Sequence, residues 1–367
     1  MTKNLYLDRL KALQASMVAT GIDLVAIAPT ANMRYLVGFA PIMDERFCAL
    51  LIGQKKSRAV IPELNADQVQ AHTGINPMRW TDAEGARHTL QQALQEMGIK
   101  PGAILSADDT MRADSLLLLQ EMINPMRSVA AGQIMTPLRV HKSEVEIEIL
   151  QRSAVLADRA LLAGVEVCRP GATEREVADV ISATFRKGGA EAIDFVIVAS
   201  GPNGAFPHHE TGDRVLQEGD TIVIDIGASL DSYKSDITRM VHLGRPSDEV
   251  IAVYDAVLEA NTRARVAAVA GKTAREVDLA ARETLEKAGY GPYFVHRTGH
   301  GLGLETHEPP WITSTSQTKL EPGMVFSIEP GVYIVGKLGI RIEDIVVVTD
   351  GECLNLTGLG HELIVIE

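Results

Sequence analysis

Four acidic residues, Asp225, Asp236, Glu329 and Glu343, stand in apolar, β-prone sequence, the last two expected inside strands, and their surroundings repeat. "GATEREVADV" followed by "LQEGDTIVIDIGA" is matched later by "GKTAREVDLA" followed by "LEPGMVFSIEPGV". Thr173 falls on Thr273, an offset of 100, and Gly219 on Gly323, an offset of 104. The second offset places Asp225 on Glu329, and aligning "SDITRMV" with "IEDIVVV" places Asp236 on Glu343. A duplicated unit with two acids per copy can gather four carboxylates about a pseudo-two-fold axis. Buried charges of one sign must be compensated. Two divalent cations would match four carboxylates charge for charge, so the pattern predicts a dinuclear metal centre.

An isolated Asp near a β-turn is commonly a turn cap. Asp225, however, lies in "TIVIDIG", apolar on both faces, where a buried acid needs a partner. The nearby basic residues are Lys234 and Arg239. Arg341 precedes Glu343 by two residues and shares its strand face by period-two alternation, which allows a plain Arg–Glu pair as well as a role in the site. A third element, "HRTGHGLGLETHEPP", holds His296, His300 and His307 among glycines and prolines that let backbone approach a site closely. Three of the ten histidines fall within these few residues, a density that points to ligation or catalysis rather than to surface histidines. His208 and His209 occupy the matching part of the first repeat, where either is equally a surface-loop histidine. "GHGLG" lacks the rest of a dinucleotide fingerprint, and "AGKT" lacks the upstream glycine of a phosphate loop, position 266 being Val. No GxSxG or HExxH occurs.

These residues need elements to hold them. The 367 residues suggest two domains, and 46% apolar content supplies a core of ordinary size. A net charge of −13 argues against a nucleic-acid or anionic-membrane surface. Cys48, Cys168 and Cys353 are scattered, as in a reduced cytosolic protein. The N-terminus has no signal-peptide core, and no apolar run approaches about 18 residues, so no membrane span is expected. Tyr6, Leu10, Leu13 and Met17 predict an opening amphipathic helix. "DLVAIA", "ERFCALLIGQKKSRAVIPEL" and "GAILSAD" predict strands, and "HTLQQALQEMG" a helix ended by Gly98. Residues 1–131 therefore read as an α/β domain, 132–142 as a crossover linker, and 143–367 as an α+β domain with an antiparallel or mixed sheet and helices on one face. Ser143/Glu146, Thr173/Glu176 and Thr273/Glu276 are capping boxes, the first opening a helix with Val145, Ile149 and Leu156 on one side.

The set "IDIGASLDSYKSDITR", "TGHGLGLETHEPP", "SIEPGVY" and "GIRIEDIVVVT" resembles the proline-specific metallopeptidases of the pita-bread fold, the prolidases and aminopeptidase P. The resemblance is most specific over 140–367, and "NMRYLVGF" extends it to a creatinase-type N-terminal domain. It implies five metal ligands, Asp225, Asp236, His300, Glu329 and Glu343, none substituted, with Asp236 and Glu343 bridging. It further implies that His208, His296 and His307 act on substrate and that Tyr333 and Arg341 support them. His208 rather than His209 follows from its place after Pro207.

A carboxylate-dominated site with one imidazole suits Mn²⁺ or Co²⁺. Such a pair lowers the pKa of a bound water, with Glu329 as proton shuttle and His307 as oxyanion donor. The expected reaction is hydrolysis of the Xaa-Pro bond in dipeptides, with Arg297 or Lys337 reading the free carboxylate. The alternatives are an Xaa-Pro aminopeptidase, a metal-free creatinase-like enzyme, a methionine aminopeptidase, and a non-catalytic binding protein on the same fold. A homodimer in the cytoplasm completes the expectation, with a small peptide as the only other partner.

Overall fold

A computed structural model describes residues 3–367 of the protein. The chain divides into two compact units, Met1–Arg139 and Val140–Glu367.

In the first unit, α1 (Lys3–Thr20) buries Leu13 and Met17 completely, as their spacing predicts. A six-stranded sheet follows: β1 (Leu24–Ile27), β2 (Ala49–Gly53), β3 (Ser57–Pro62), β4 (Met78–Trp80), β5 (Ile104–Ala107) and β6 (Arg127–Ala130), in the order β4-β3-β2-β1-β5-β6. β2 and β3 form an antiparallel hairpin, β1 also pairs antiparallel with β2, and the β3–β4, β1–β5 and β5–β6 pairs are parallel. Hairpins need only a tight turn, whereas parallel neighbours need a crossover. Helix α2 (Ala31–Val37) lies in the long antiparallel connection from β1 to β2, and α3 (Glu63–Thr73), α4 (Arg87–Met97) and α5 (Ala113–Ile123) lie in the connections that lead to parallel strands. Gly98 ends α4 with a left-handed φ of 75°. The stretch expected as a linker is mostly helical: α6 (Gly132–Arg139) has Ile134 and Met135 buried and belongs to the first unit, so the division falls at 139/140.

The second unit is built twice. Its first half runs α7 (Glu144–Val165), α8 (Glu174–Lys187), β7 (Ala192–Ser200), β8 (Thr221–Leu230), β9 (Tyr233–Lys234) and β10 (Ile237–Leu243). Its second half runs α9 (Asp248–Ala267), α10 (Ala274–Lys287), β11 (Gly299–Gly301), β12 (Glu308–Ile312), β13 (Val325–Ile328), β14 (Gly331–Ile334), β15 (Leu338–Arg341), β16 (Asp344–Val347), β17 (Leu354–Asn355) and β18 (Ile364–Ile366). Instead of the single sheet expected, there are two five-stranded sheets: the first-half strands joined by the C-terminal β18, in the order β18-β10-β8-β7 with β9 on β8, and the second-half strands β12-β11-β13-β16-β17, while β14 and β15 pair separately. The duplication supplies one ladder per copy, and the copies also share material: β18 crosses to pair with β10, and Ala199, Val223 and Met240 of the first half pack into the core of the second.

The two halves agree in small details. Glu174 N donates to Arg214 O and Leu216 N to Ala172 O, just as Ala274 N donates to Thr318 O and Leu320 N to Lys272 O. All three expected capping boxes form. Gly219 and Gly323 share a φ of 86°, in the left-handed region that favours glycine. One helical detail departs from expectation: Ile149 and Leu156 are buried, but Val145 in the first turn of α7 is exposed.

Candidate metal centre

Alternation in β8 sends Ile224 and Ile226 into the core and Asp225 to the opposite face, across the ladder from Thr238. Asp225 thus sits in mid-strand, and Asp236 lies directly ahead of β10. In the second half Ile328 pairs with Asp344, so Glu329 and Glu343 lie just outside the strands expected to contain them and leave the same end of the β13–β16 ladder. His300 lies in the middle of β11. Its backbone N–H donates to Ser327 Oγ at 3.0 Å, and Ser327 Oγ donates to Glu329 Oε1 at 3.1 Å. The residue before it must be glycine: a Cβ at Gly299 would lie 1.8 Å from Ser327 O.

Ligand-capable atoms of Asp236, His300 and Glu343, all buried, lie within 4.8 Å of one another. His300 Nε2 is 3.2 Å from Glu329 Oε1 and 3.8 Å from Asp236 Oδ2. Asp225 completes the group in the same cavity of about 920 Å³, together with His208, His296, Arg297, His307 and Arg341. Neither Lys234 nor Arg239 partners Asp225. Lys234 pairs with Asp194, and Arg239 is buried against Asp344 and four backbone carbonyls. Arg341 takes that place. Its guanidinium bonds Asp225, Thr238 Oγ1 (3.1 Å) and the Tyr333 hydroxyl (2.8 Å). Glu343 is served instead by Thr238 Oγ1, at 2.8 Å, so the simple Arg341–Glu343 pair does not form.

The electrostatics are those of crowded acids. Burial raises the pKa of Asp236 well above the usual range, and the charges of Glu343, Asp225 and Glu329 push it further. Glu343 is raised by burial and then by Glu329 and Asp225. Burial and Glu329 also raise Asp225, against the pull of Arg341. Burial acts on Glu329 in the same sense, but the hydrogen bond from His300 and the charges of His300, His296 and Arg341 prevail and hold it at about 2. Among the described residues, Asp225 Oδ1 is a buried oxygen with no hydrogen-bond partner. Excess carboxylate charge, one imidazole and an orphaned carboxylate oxygen fit a pair of oxygen-preferring divalent cations.

The three remaining histidines differ in setting. His296 is fixed on both ring nitrogens, by Arg297 O at 2.7 Å and the Tyr333 hydroxyl at 2.9 Å. Burial lowers its pKa, so the neutral ring donates from Nδ1 to the carbonyl and accepts from the tyrosine at Nε2. His307 packs edge-on to His300, with centroids 4.2 Å apart. Desolvation, then the charges of His300 and Arg297, push it down to about 4, so it too is neutral at pH 7. His208 stands at the cavity wall, whereas His209 turns to Glu174 at 3.0 Å. Arg297 reaches the cavity with its guanidinium 4.5 Å over the Trp311 ring, and Lys337 pairs with Glu249 at the surface.

Sequence reasoning passed over Thr238, which links Arg341 to Glu343, and the apolar walls Phe195, Ile197 and Phe206. It also passed over two buried carboxylates, Glu174 and Asp278. Asp278 had a legible signal, since it lies on the α10 face that buries Ala274, Ala281 and Leu285, where an acid is out of place.

This constellation, five candidate ligands drawn from both halves of a duplicated α+β unit, is that of a metal-dependent hydrolase. Residues 148–350 match metallopeptidase family M24, and residues 9–141 match the creatinase/prolidase N-terminal domain. The chain belongs to metallopeptidase family M24, with a pita-bread catalytic domain behind a creatinase-type N-terminal domain. It is 38% identical to the probable dipeptidase PepE of Mycobacterium tuberculosis, over 98% of this chain and 96% of that protein. It is 34% identical to the Xaa-Pro dipeptidase of Pyrococcus furiosus, over 97% and 99%. The crystal structure of the prolidase from Thermococcus sibiricus superposes with a TM-score of 0.93 at 36% identity, covering all of both chains. Among the described residues no helix is long and apolar enough to cross a membrane.

Proposed function

We propose that the protein hydrolyses the Xaa-Pro bond of dipeptides with two divalent ions, Mn²⁺ or Co²⁺, which Asp225, Asp236, His300, Glu329 and Glu343 would hold. The observation that carries this reading is the convergence of Asp236, His300 and Glu343 beside Asp225 and Glu329 in one cavity. The names of its relatives support the substrate class. When bound, the ions acidify a coordinated water and polarise the scissile carbonyl. Glu329, ionised at neutral pH, takes the proton of the attacking water and passes it to the leaving proline nitrogen. Neutral His307 donates its N–H to the developing oxyanion. His296, locked in one tautomer by Tyr333 and the Arg297 carbonyl, and His208 at the wall orient the peptide. An Xaa-Pro amide has no N–H to grip, so Phe195, Ile197 and Phe206 must hold it by shape.

Arg297 supports the preference for dipeptides. It is the cavity cation without an ion pair among the described residues, whereas Arg341 is committed to Asp225. A free carboxylate after proline would pair with it, and a longer peptide would leave it unpaired. The cytoplasm and a homodimer remain part of the reading. The test is chelation followed by re-addition of Mn²⁺ or Co²⁺, assayed on Ala-Pro and Ala-Pro-Ala. Activity should vanish and return, with Ala-Pro the better substrate. Full activity in a metal-free preparation refutes the metal mechanism, and equal cleavage of the tripeptide transfers the protein to the Xaa-Pro aminopeptidases.

A further inference from the structure

Asp278 is a fully buried carboxylate on α10. Its two oxygens take Arg282 Nε at 2.9 Å and Nη2 at 3.0 Å. Asp278 Oδ1 also accepts the Thr298 backbone N–H at 3.1 Å and the Thr298 hydroxyl at 2.9 Å. Arg282 spends its other donors on the same segment, reaching Phe294 O at 3.3 Å and His296 O at 3.0 Å, with its guanidinium 4.4 Å over the Phe294 ring. Thr298 O in turn accepts the Glu329 N–H at 2.8 Å. One ion pair therefore ties helix α10 to three points of the five-residue segment Phe294–Thr298, whose middle residues, His296 and Arg297, face the cavity.

A carboxylate is costly to bury and is tolerated where its partners are complete. A plain helix brace would need neither the charge nor the fork. The geometry of the fork does matter for a short irregular segment that must present two side chains in fixed directions.

We propose that Asp278 and Arg282 form a positioning pair that sets the substrate-facing side of the site by fixing His296 and Arg297, and that reaches the metal side only through the backbone bond from Glu329 N–H to Thr298 O. This rests on the Xaa-Pro hydrolase reading above. Neither residue touches substrate, and none of the five expected metal ligands bonds to either side chain.

The test compares Asp278→Asn, Arg282→Gln and the double variant with the parent protein, each loaded with Mn²⁺, on Ala-Pro. Each single variant should raise KM by about tenfold or more, with kcat within about threefold, as for the loss of uniform binding. Because the pair acts as a unit, the double variant should be no worse than the poorer single. Bound metal per chain should match the parent, and, with diamagnetic Zn²⁺ in place of Mn²⁺, the ring signals of His296 in ¹H–¹⁵N spectra, assigned with His296→Gln, should move while those of His361 stay. Loss of metal along with activity, a defect confined to kcat, or unmoved His296 signals with unchanged KM would each overturn the proposal. If Asp278→Asn does not fold, the partly exposed Arg282 decides, and an unchanged KM in Arg282→Gln refutes it. If the parent itself does not cleave Ala-Pro with Mn²⁺, the hydrolase reading has failed, and the His296 signals, read without substrate, still judge the positioning role.

Discussion

The two halves of the catalytic unit brace their histidine-bearing loops with a buried acid apiece, but from positions that are not equivalent. In the first half Glu174, the opening residue of α8, accepts from Ser200 N and Oγ, Asn203 Nδ2, His209 Nε2 and Gly212 N. Its counterpart in the second half is Ala274, and Asp278 corresponds to Ala178. The first acid holds a loop with neutral donors and one imidazole, the second holds a loop through an arginine. Duplication preserved what the ladders and helix caps require, since those bonds are backbone geometry common to both copies. The loops were free to diverge, and each acquired its own support. The first half delivers His208 at the cavity wall, and the second delivers His296, His300 and His307.

The sharpest way to break this comparison is to remove one bridging candidate from each half. Asp236→Ala and Glu343→Ala should both lose bound metal, measured by elemental analysis, and each should lower kcat by at least about a thousandfold, the scale of several kcal/mol of lost charge stabilisation. If one of them keeps both metals, the halves do not share the site as proposed. His307→Ala should retain metal and lose about a hundredfold in kcat, the usual cost of one oxyanion donor. His208→Ala, its partner from the other half, should cost less, with the loss mainly in KM. Steady-state kinetics on Ala-Pro separates the two, and metal loss in His307→Ala would reverse the assignments of His300 and His307.

The supports can be compared through stability. Glu174→Ala leaves buried donors without an acceptor and should destabilise the protein by about 3 kcal/mol in chemical denaturation. Burial raises the pKa of Glu174, but the bonds from Ser200, Asn203 and His209 outweigh it and lower it below its ordinary 4.5. A depressed carboxylate contributes its stability above the unfolded-state value and loses it as pH falls. The penalty of Glu174→Ala should therefore be full at pH 7 and shrink progressively below about pH 4.5, where the parent loses the same interactions. The smallest effects belong to the matched caps. Thr173→Ala and Thr273→Ala should each cost about 1 kcal/mol, and unequal costs would mean that the two capping boxes are less alike than their bonds.

Period, caps and repeats are local properties, and they were legible. The offsets of 100 and 104 located both helices and both acid-bearing strands, and the backbone bonds on either side of Thr173 and Thr273 reproduce those offsets. Gly132 and Pro137 predict a linker at 132–142, yet residues 132–139 form α6, which accommodates Pro137. Lys337 drew attention as a cation near the site, yet chain proximity did not become spatial proximity.

What the sequence determined by itself was the inventory: two acids per repeat in or next to apolar strands, a glycine-rich loop with three histidines, and the capped helices of each repeat. These follow from side-chain periodicity and from donors that neighbouring residues must satisfy. Only the tertiary structure decided the partners. Arg341 joins Asp225 across 116 residues of chain, Thr238 joins Glu343 across 105, and Asp278 joins Thr298 across 20. The first two pairings arise where strands of different copies meet and the third where a helix packs on a loop of its own copy, and in each place burial makes an unpaired charge so costly that a single set of contacts survives.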